Sequence, residues 1–205
     1  MLATDRFLLV SAGRTGTGAL DHWLQEVPGL RIISRFAHER RDVMAAKCIA
    51  AGLAVPPAWT IIRNPWAYYL DKWAWEQDKG PCFQGTLEEM LQRTREQPTV
   101  EGPFYSLTQI WNILGCDDCE YIGRFENYDE DVVRILRALV PDLLTEEEIR
   151  YRIAQNRGNG ASYLPNGSIQ WLSGYREWYS DRAYAWVREL DGELIERFGY
   201  VDGES

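Results

Sequence analysis

The sequence predicts an α/β protein: a three-layer fold with a central, mainly parallel sheet flanked by helices, formed as a single domain over residues 1–205. Three observations carry this expectation. Short apolar runs rich in Leu, Ile and Val alternate with stretches of helical periodicity. The first of these runs passes through a glycine-rich turn directly into an amphipathic helix. The 205 residues are 45% apolar and 26% charged with only 9 Pro and 17 Gly, which suits one elaborated domain and excludes collagen-like or wholly disordered chains.

Taken in order, RFLLVSA (6–12) predicts a buried strand, GRTGTG (13–18) a tight turn, and ALDHWLQEV (19–27) a helix ended by Pro28 and Gly29. LRIIS (30–34) predicts a second strand, ERRDVMAAKCIAAGL (39–53) a helix stopped near Gly52 and Pro56, and AWTII (58–62) a third strand. That strand runs into Arg63, Asn64 and Pro65, and proline suits the first position of a helix, so WAYYLDKWAWEQ (66–77) is predicted helical. TLEEMLQRTRE (86–96) opens with the capping pattern Thr86 to Glu89, and FYSLTQIWNILG (104–115) carries an apolar stripe. EYIGRF (120–125) is the fourth predicted strand, followed by a helix over 129–140 halted by Pro141 and another opened by the capping pattern Thr145 to Glu148. Residues 156–174, rich in Gly, Asn and Ser, form the longest loop-like segment, and 175–200 predicts a helical pair with an aromatic end.

No apolar stretch approaches the roughly 20 residues of a membrane span, and the start of the sequence lacks a basic region followed by a long apolar one. The expectation is a cytoplasmic protein without a membrane span. A net charge of −9 argues against a general basic field for nucleic acid, so no nucleic-acid partner is expected. The balance is uneven: residues 1–75 carry nine Lys/Arg against six Asp/Glu, the remainder thirteen against twenty-five. A small anionic ligand therefore belongs with the N-terminal part. Four cysteines are too few for a disulfide scaffold in a chain of this length. Cys116 and Cys119 form a lone CxxC that lacks two further zinc ligands and precedes a strand instead of opening a helix, so it reads first as structural, with redox or metal roles as alternatives.

Two segments carry chemistry. A strand, a glycine turn and a helix start make an anion cradle, because unpaired backbone N–H groups and the helix dipole point at the turn. SAGRTGTGAL has the Gly13 to Gly18 spacing of a Walker A loop, which makes the predicted fold P-loop-like. Ala19 and Leu20 stand where a nucleotide triphosphatase needs Lys and Ser/Thr, which disfavours a small-molecule kinase. Arg14, Thr15 and Thr17 supply a cation and two hydroxyls instead; a purely structural turn is the alternative. In IIRNPWAYY, Arg63 stands at the C-terminal end of a predicted strand, where open α/β sheets bind ligands, and its planar fork suits phosphate; the alternative is a salt bridge. Trp66, Tyr68, Trp73 and Trp75 share the following helix, as core residues or as the lining of an acceptor or adenine pocket.

In order along the chain, these segments resemble the sulfotransferases that use 3′-phosphoadenosine 5′-phosphosulfate (PAPS). SAGRTGTGAL is similar to the family's 5′-phosphosulfate loop, with Arg14, Thr15, Gly16 and Thr17 matching and Gly18 closing it. IIRNPWAYYLDKW resembles the 3′-phosphate motif, YIGRFENYDEDVVRIL the strand-and-helix block after it, and YREWYSDRAYAWVRELDGELIERFGY the ending of bacterial members. The resemblance implies PAPS as co-substrate with no metal, a small-molecule or glycan acceptor, and cofactor contacts from Arg14, Thr15, Gly16, Thr17, Gly18, Arg63 and the residue eight positions on. In the family that residue is a serine whose hydroxyl binds the 3′-phosphate; here it is Asp71, whose carboxylate repels a phosphate. Arg157, with Asn159 and Ser162, lies in the long loop, which in relatives can close over the nucleotide; a solvated flexible loop is the alternative.

The expected activity is in-line transfer of a sulfuryl group to a hydroxyl or amine. It needs alignment and charge neutralisation on the leaving phosphate, which Arg14 and the loop amides supply, plus a base. His38, after the second predicted strand, is the candidate base, with Glu39 in reserve; His22 falls within the first helix and reads as structural. The alternative reading is a catalytically impaired nucleotide-binding or scaffold protein that keeps the fold.

Overall fold

The computed structural model describes residues 1–80, 82–96, 104–156 and 174–200. In chain order the regular elements are β1 (Leu2–Thr4), β2 (Leu8–Leu9), α1 (Thr17–Leu24), β3 (Ile32–Arg35), α2 (Arg41–Ala50) and β4 (Ala58–Ile62). There follow α3 (Pro65–Asp78), α4 (Leu87–Glu96), α5 (Leu107–Leu114), β5 (Tyr121–Arg124), α6 (Tyr128–Leu139), α7 (Glu146–Asn156) and α8 (Asp181–Phe198). The chain divides into two compact units: Met1–Ile62 with Trp111–Gly160, and Arg63–Ile110 with Ala161–Ser205.

The first unit is an α/β unit around a five-stranded sheet of order β3-β1-β2-β4-β5. β2, β4 and β5 pair in parallel, whereas β1 is antiparallel to both of its neighbours, so four of the five strands run the same way. All five residues of β4 are buried, as a strand covered on both faces requires. Phe7 meets the Trp59 ring edge-on at 6.1 Å, and both side chains are shut off from solvent.

The strand predicted over 6–12 is shorter than its apolar run. Thr4 Oγ1 accepts from the N–H groups of Arg6 and Phe7 and donates to the Phe7 carbonyl, forming a tight turn that spends the first residues. Beyond Val10, whose N–H still reaches the Trp59 carbonyl, the backbone leaves the sheet for the glycine turn. The same turn creates β1, which was not predicted: three residues are too few for a periodic signal, and the strand exists by pairing with Leu8, Leu9 and β3. Both capping patterns form, with Thr86 and Glu89, and Thr145 and Glu148, exchanging bonds reciprocally.

The second unit is helical. α3 starts on Pro65, with Asn64 Oδ1 accepting from the N–H groups of Trp66 (3.0 Å) and Ala67 (3.4 Å). α3 is buried nearly all round, charged residues Asp71, Lys72 and Glu76 included. α8 lies alongside α3 and α4 in this unit, with Ser180 capping it and Arg95 paired to Glu189 at 2.7 Å. The predicted helical pair over 175–200 is a single turn of 3-10 helix, Tyr175–Trp178, followed by α8, which kinks at Asp191. Among the described residues no helix is long and apolar enough to cross a membrane.

Candidate functional site

In the first unit the chain leaves β2 and turns through Gly13, Arg14 and Gly16, whose φ angles are 77°, 49° and 77°. For arginine a left-handed φ is uncommon and costs energy, so the surrounding fold holds Arg14 there. Gly16 is the N-cap of α1, and no side chain caps this helix. Its first N–H groups are therefore not taken up by a cap, and the dipole adds positive character at the same place. Ser11 Oγ and Thr17 Oγ1 share a short hydrogen bond across the turn, and Ser11 Oγ also accepts from the Gly13 N–H at 3.2 Å. Thr15 is fully buried, and its hydroxyl has no partner among the described residues. A buried polar atom in this state lacks a partner that the described residues could supply.

Two groups wall the loop. Tyr128, the first residue of α6, donates from its hydroxyl to the Gly16 carbonyl at 3.0 Å. Its ring and that of Phe125, 5.7 Å apart, press on Gly16 so closely that an added Cβ would lie 2.7 Å from Tyr128 Cε2 and 2.8 Å from Phe125 Cε2. The block GRFENY is thus the clamp of the loop, a role its sequence did not disclose. On another side stands His38, also left-handed at φ 55°, with its Cε1 atom 3.2 Å from where a Cβ on Gly13 would be. His38 is exposed to solvent on one side, yet burial of the rest of its ring, and after it the positive charge of the amino terminus, hold the imidazole pKa below the ordinary histidine value. The reserve candidate Glu39 is engaged elsewhere: it pairs with Lys47 and accepts from Ser34 Oγ at 3.2 Å. His22 is exposed on α1.

In the second unit Arg63 is almost fully buried, at 3% exposure, and its Nη1 lies 3.2 Å from Asp71 Oδ2. Asp71 does not turn to solvent; it is buried and faces the arginine of its own motif. Asn64, besides capping α3, donates from Nδ2 to the Tyr175 hydroxyl at 3.2 Å. Tyr179 donates to the Trp66 carbonyl at 2.7 Å, and Tyr184 stacks on Trp66 with ring centroids 4.8 Å apart. The aromatic block 175–184 therefore fastens the start of α3. Arg157, with Asn159 and Ser162, lies outside the described residues.

The cysteines are unbridged, and Cys116 and Cys119 are buried. Burial pushes the Cys116 thiol up to about 12 and raises that of Cys119 as well, so both are protonated thiols. Among the described residues no group of three or more His, Cys, Asp or Glu is arranged to hold a metal ion.

No protein-family model matches the chain. No curated protein matches it either. Solved structures do share its fold. The crystal structure of mouse sulfotransferase SULT7A1 complexed with PAP is similar with a TM-score of 0.62 at 15% sequence identity, over 94% of this chain and 84% of the mouse chain. The architecture is thus the α/β, P-loop-like fold of sulfotransferases.

Proposed function

We propose that the chain is a cytoplasmic sulfotransferase that moves a sulfuryl group from PAPS to a hydroxyl or amine of a small-molecule or glycan acceptor, in line and without a metal. The observation that supports this most is the loop from Gly13 to Gly18: Arg14, in a left-handed turn, and the buried Thr15 hydroxyl, without a partner among the described residues, stand at the start of α1, which no side chain caps. Backbone N–H groups, hydroxyls and one guanidinium are the donor set that a phosphate or sulfate group needs. The lysine and the metal-binding hydroxyl of a triphosphatase are replaced by Ala19 and Leu20.

In this reading Arg14, Thr15, Gly16, Thr17 and Gly18 hold the 5′-phosphosulfate, and Arg14 offsets the charge that develops on the leaving phosphate. His38, beside Gly13, takes the proton of the acceptor. Arg63, Asp71 and Arg157 are assigned to the rest of the nucleotide. Four unbridged cysteines suit a reducing compartment. A second reading, a nucleotide-binding scaffold without turnover, draws on the Arg63–Asp71 pair, which neutralises an arginine of the motif.

The test is thermal unfolding with adenosine 3′,5′-bisphosphate, then transfer from radiolabelled PAPS to a panel of phenols, alcohols and amines. The bisphosphate is expected to raise the melting temperature without added metal, through binding to the native state. A shift produced only by ATP with Mg²⁺ would overturn the proposal in favour of a kinase. Binding of the bisphosphate without transfer to any acceptor would favour the scaffold.

A further inference from the structure

Gly16 turns the chain into α1 at φ 77° and ψ −5°, and its carbonyl accepts a hydrogen bond from the Tyr128 hydroxyl at 3.0 Å. The peptide that joins Gly16 to Thr17 is trans, so its C=O and N–H point in opposite directions from one rigid plane. Fixing the carbonyl therefore also fixes the N–H of Thr17, the first residue of α1. That N–H faces back into the turn, where the Thr15 hydroxyl is buried without a partner among the described residues. The Thr17 side chain is held as well, through Ser11 Oγ. Tyr128 is itself anchored: it opens α6 just behind β5, the Arg124 N–H at the end of that strand donates to Asp131 Oδ2 at 2.8 Å, and the Phe125 ring lies 5.7 Å away. Burial, and after it the charge of Asp129, raise the Tyr128 phenol pKa above its ordinary value, so the hydroxyl keeps its proton and donates it to the carbonyl. A donor on the carbonyl end of a peptide also polarises it, which makes its N–H a stronger donor in turn.

We infer that Tyr128 is a positioning residue of the anion loop: its hydroxyl, acting through the Gly16–Thr17 peptide, aims and strengthens the Thr17 N–H toward the 5′-phosphosulfate of the donor. This rests on the proposed sulfotransferase reading and adds to it a residue that touches the loop and not the ligand. The ring and the hydroxyl of Tyr128 do separate work. The ring, with that of Phe125, occupies the space that a Cβ on Gly16 would need, and a phenylalanine ring would occupy it equally. The hydroxyl alone reaches the Gly16 carbonyl, so removing that one oxygen keeps the packing and takes away the alignment.

The experiment compares wild type with Tyr128→Phe, well below the melting temperature of either, by calorimetric titration of adenosine 3′,5′-bisphosphate without metal and by NMR of the Thr17 amide. In the wild type, saturating bisphosphate is expected to move the Thr17 amide proton downfield as it donates to the phosphate. Tyr128→Phe is expected to bind the bisphosphate about fivefold to tenfold more weakly, as the loss of one hydrogen bond predicts, and to show a smaller Thr17 shift at saturation. A hydroxyl with a merely structural role would lower the melting temperature and leave both readings unchanged. A Tyr128→Phe affinity within about twofold of wild type, or a Thr17 shift equal to that of wild type, overturns the inference and leaves the sulfotransferase reading standing. A wild-type Thr17 amide that saturating bisphosphate does not move has the same consequence. Failure of the wild type to bind the bisphosphate overturns that reading, and the inference with it. Tyr128→Met, which also lacks the hydroxyl, takes the place of Tyr128→Phe if the latter does not fold.

Discussion

Gly16→Ala is the substitution that most directly tests whether the phosphate-type loop is clamped as described. Gly16 has φ 77°, where a residue with a Cβ costs about 1 to 2 kcal/mol. The new methyl would lie 2.7 Å from Tyr128 Cε2 and 2.8 Å from Phe125 Cε2, and Tyr128 cannot swing away without losing its bond to the Gly16 carbonyl. Overpacking of this kind costs a further 1 to 3 kcal/mol or so, for a total of about 2 to 5 kcal/mol. In a chain of this length that corresponds to a fall in melting temperature of roughly 4 to 20 °C. Gly18→Ala is the internal control. Gly18 lies within α1 with no left-handed φ, and a Cβ there meets nothing within 4 Å. Alanine should be neutral or stabilising by up to about 1 kcal/mol. Both variants are measured by thermal unfolding, with and without adenosine 3′,5′-bisphosphate, and Gly16→Ala should also lose the ligand-induced shift. Equal melting temperatures for Gly16→Ala and wild type, or greater damage from Gly18→Ala, would refute the clamp.

Two further outcomes are expected. Arg14→Ala should lower the rate of sulfuryl transfer by about 10²-fold or more while leaving the melting temperature nearly unchanged, since its guanidinium is the cation the loop sequence provides; turnover within a few-fold of wild type removes Arg14 from the chemistry. Lys72 is buried beside Asp191 and Glu76 and donates to the Tyr105 carbonyl at 2.9 Å, and burial lowers its pKa to about 7. Above that pH the native chain has released a proton that the unfolded chain keeps, so stability should rise with pH by up to about 1.4 kcal/mol per unit between about pH 7 and about pH 8.5. Urea denaturation across that range measures it, and Lys72→Met should flatten the slope; an unchanged slope in the variant would show that Lys72 is not its source.

The parts of this molecule legible in the sequence are those encoded locally. AWTII became β4 and EYIGRF contains β5, because an apolar run bounded by turn residues has few other uses in a folded chain. Both capping patterns formed because their partners are three residues apart. What escaped depends on distant pairing. β1 exists only through its neighbours in the sheet. The loop motif drew attention to Gly13 and Gly18 by spacing, whereas the steric demand falls on Gly16, and that demand is set by Phe125 and Tyr128 more than a hundred positions away. Whether Arg63 meets Asp71 or a ligand is likewise a matter of how α3 is turned, and that is fixed by Asn64 together with Tyr175 and Tyr179 from the far end of the chain.

The charge asymmetry shows the same limit in electrostatic form. The excess of basic residues over 1–75 pointed to a small anion at the N-terminal part, as though those cations formed a surface field. Six of the nine, Arg6, Arg35, Arg40, Arg41, Lys47 and Arg63, are paired with a carboxylate, and Lys72 is buried. An ion pair has little field beyond its own length, and salt screens what remains over about 10 Å. An anion therefore gains little from a diffuse basic surface on this part of the chain. Its affinity has to come from the loop itself: the backbone N–H groups at the start of α1, the buried Thr15 hydroxyl, and Arg14 held in its left-handed turn. In the proposed sulfuryl transfer, groups fixed by the fold before the ligand arrives would need no reorganisation as charge shifts toward the leaving phosphate, which is the arrangement electrostatic catalysis of group transfer depends on.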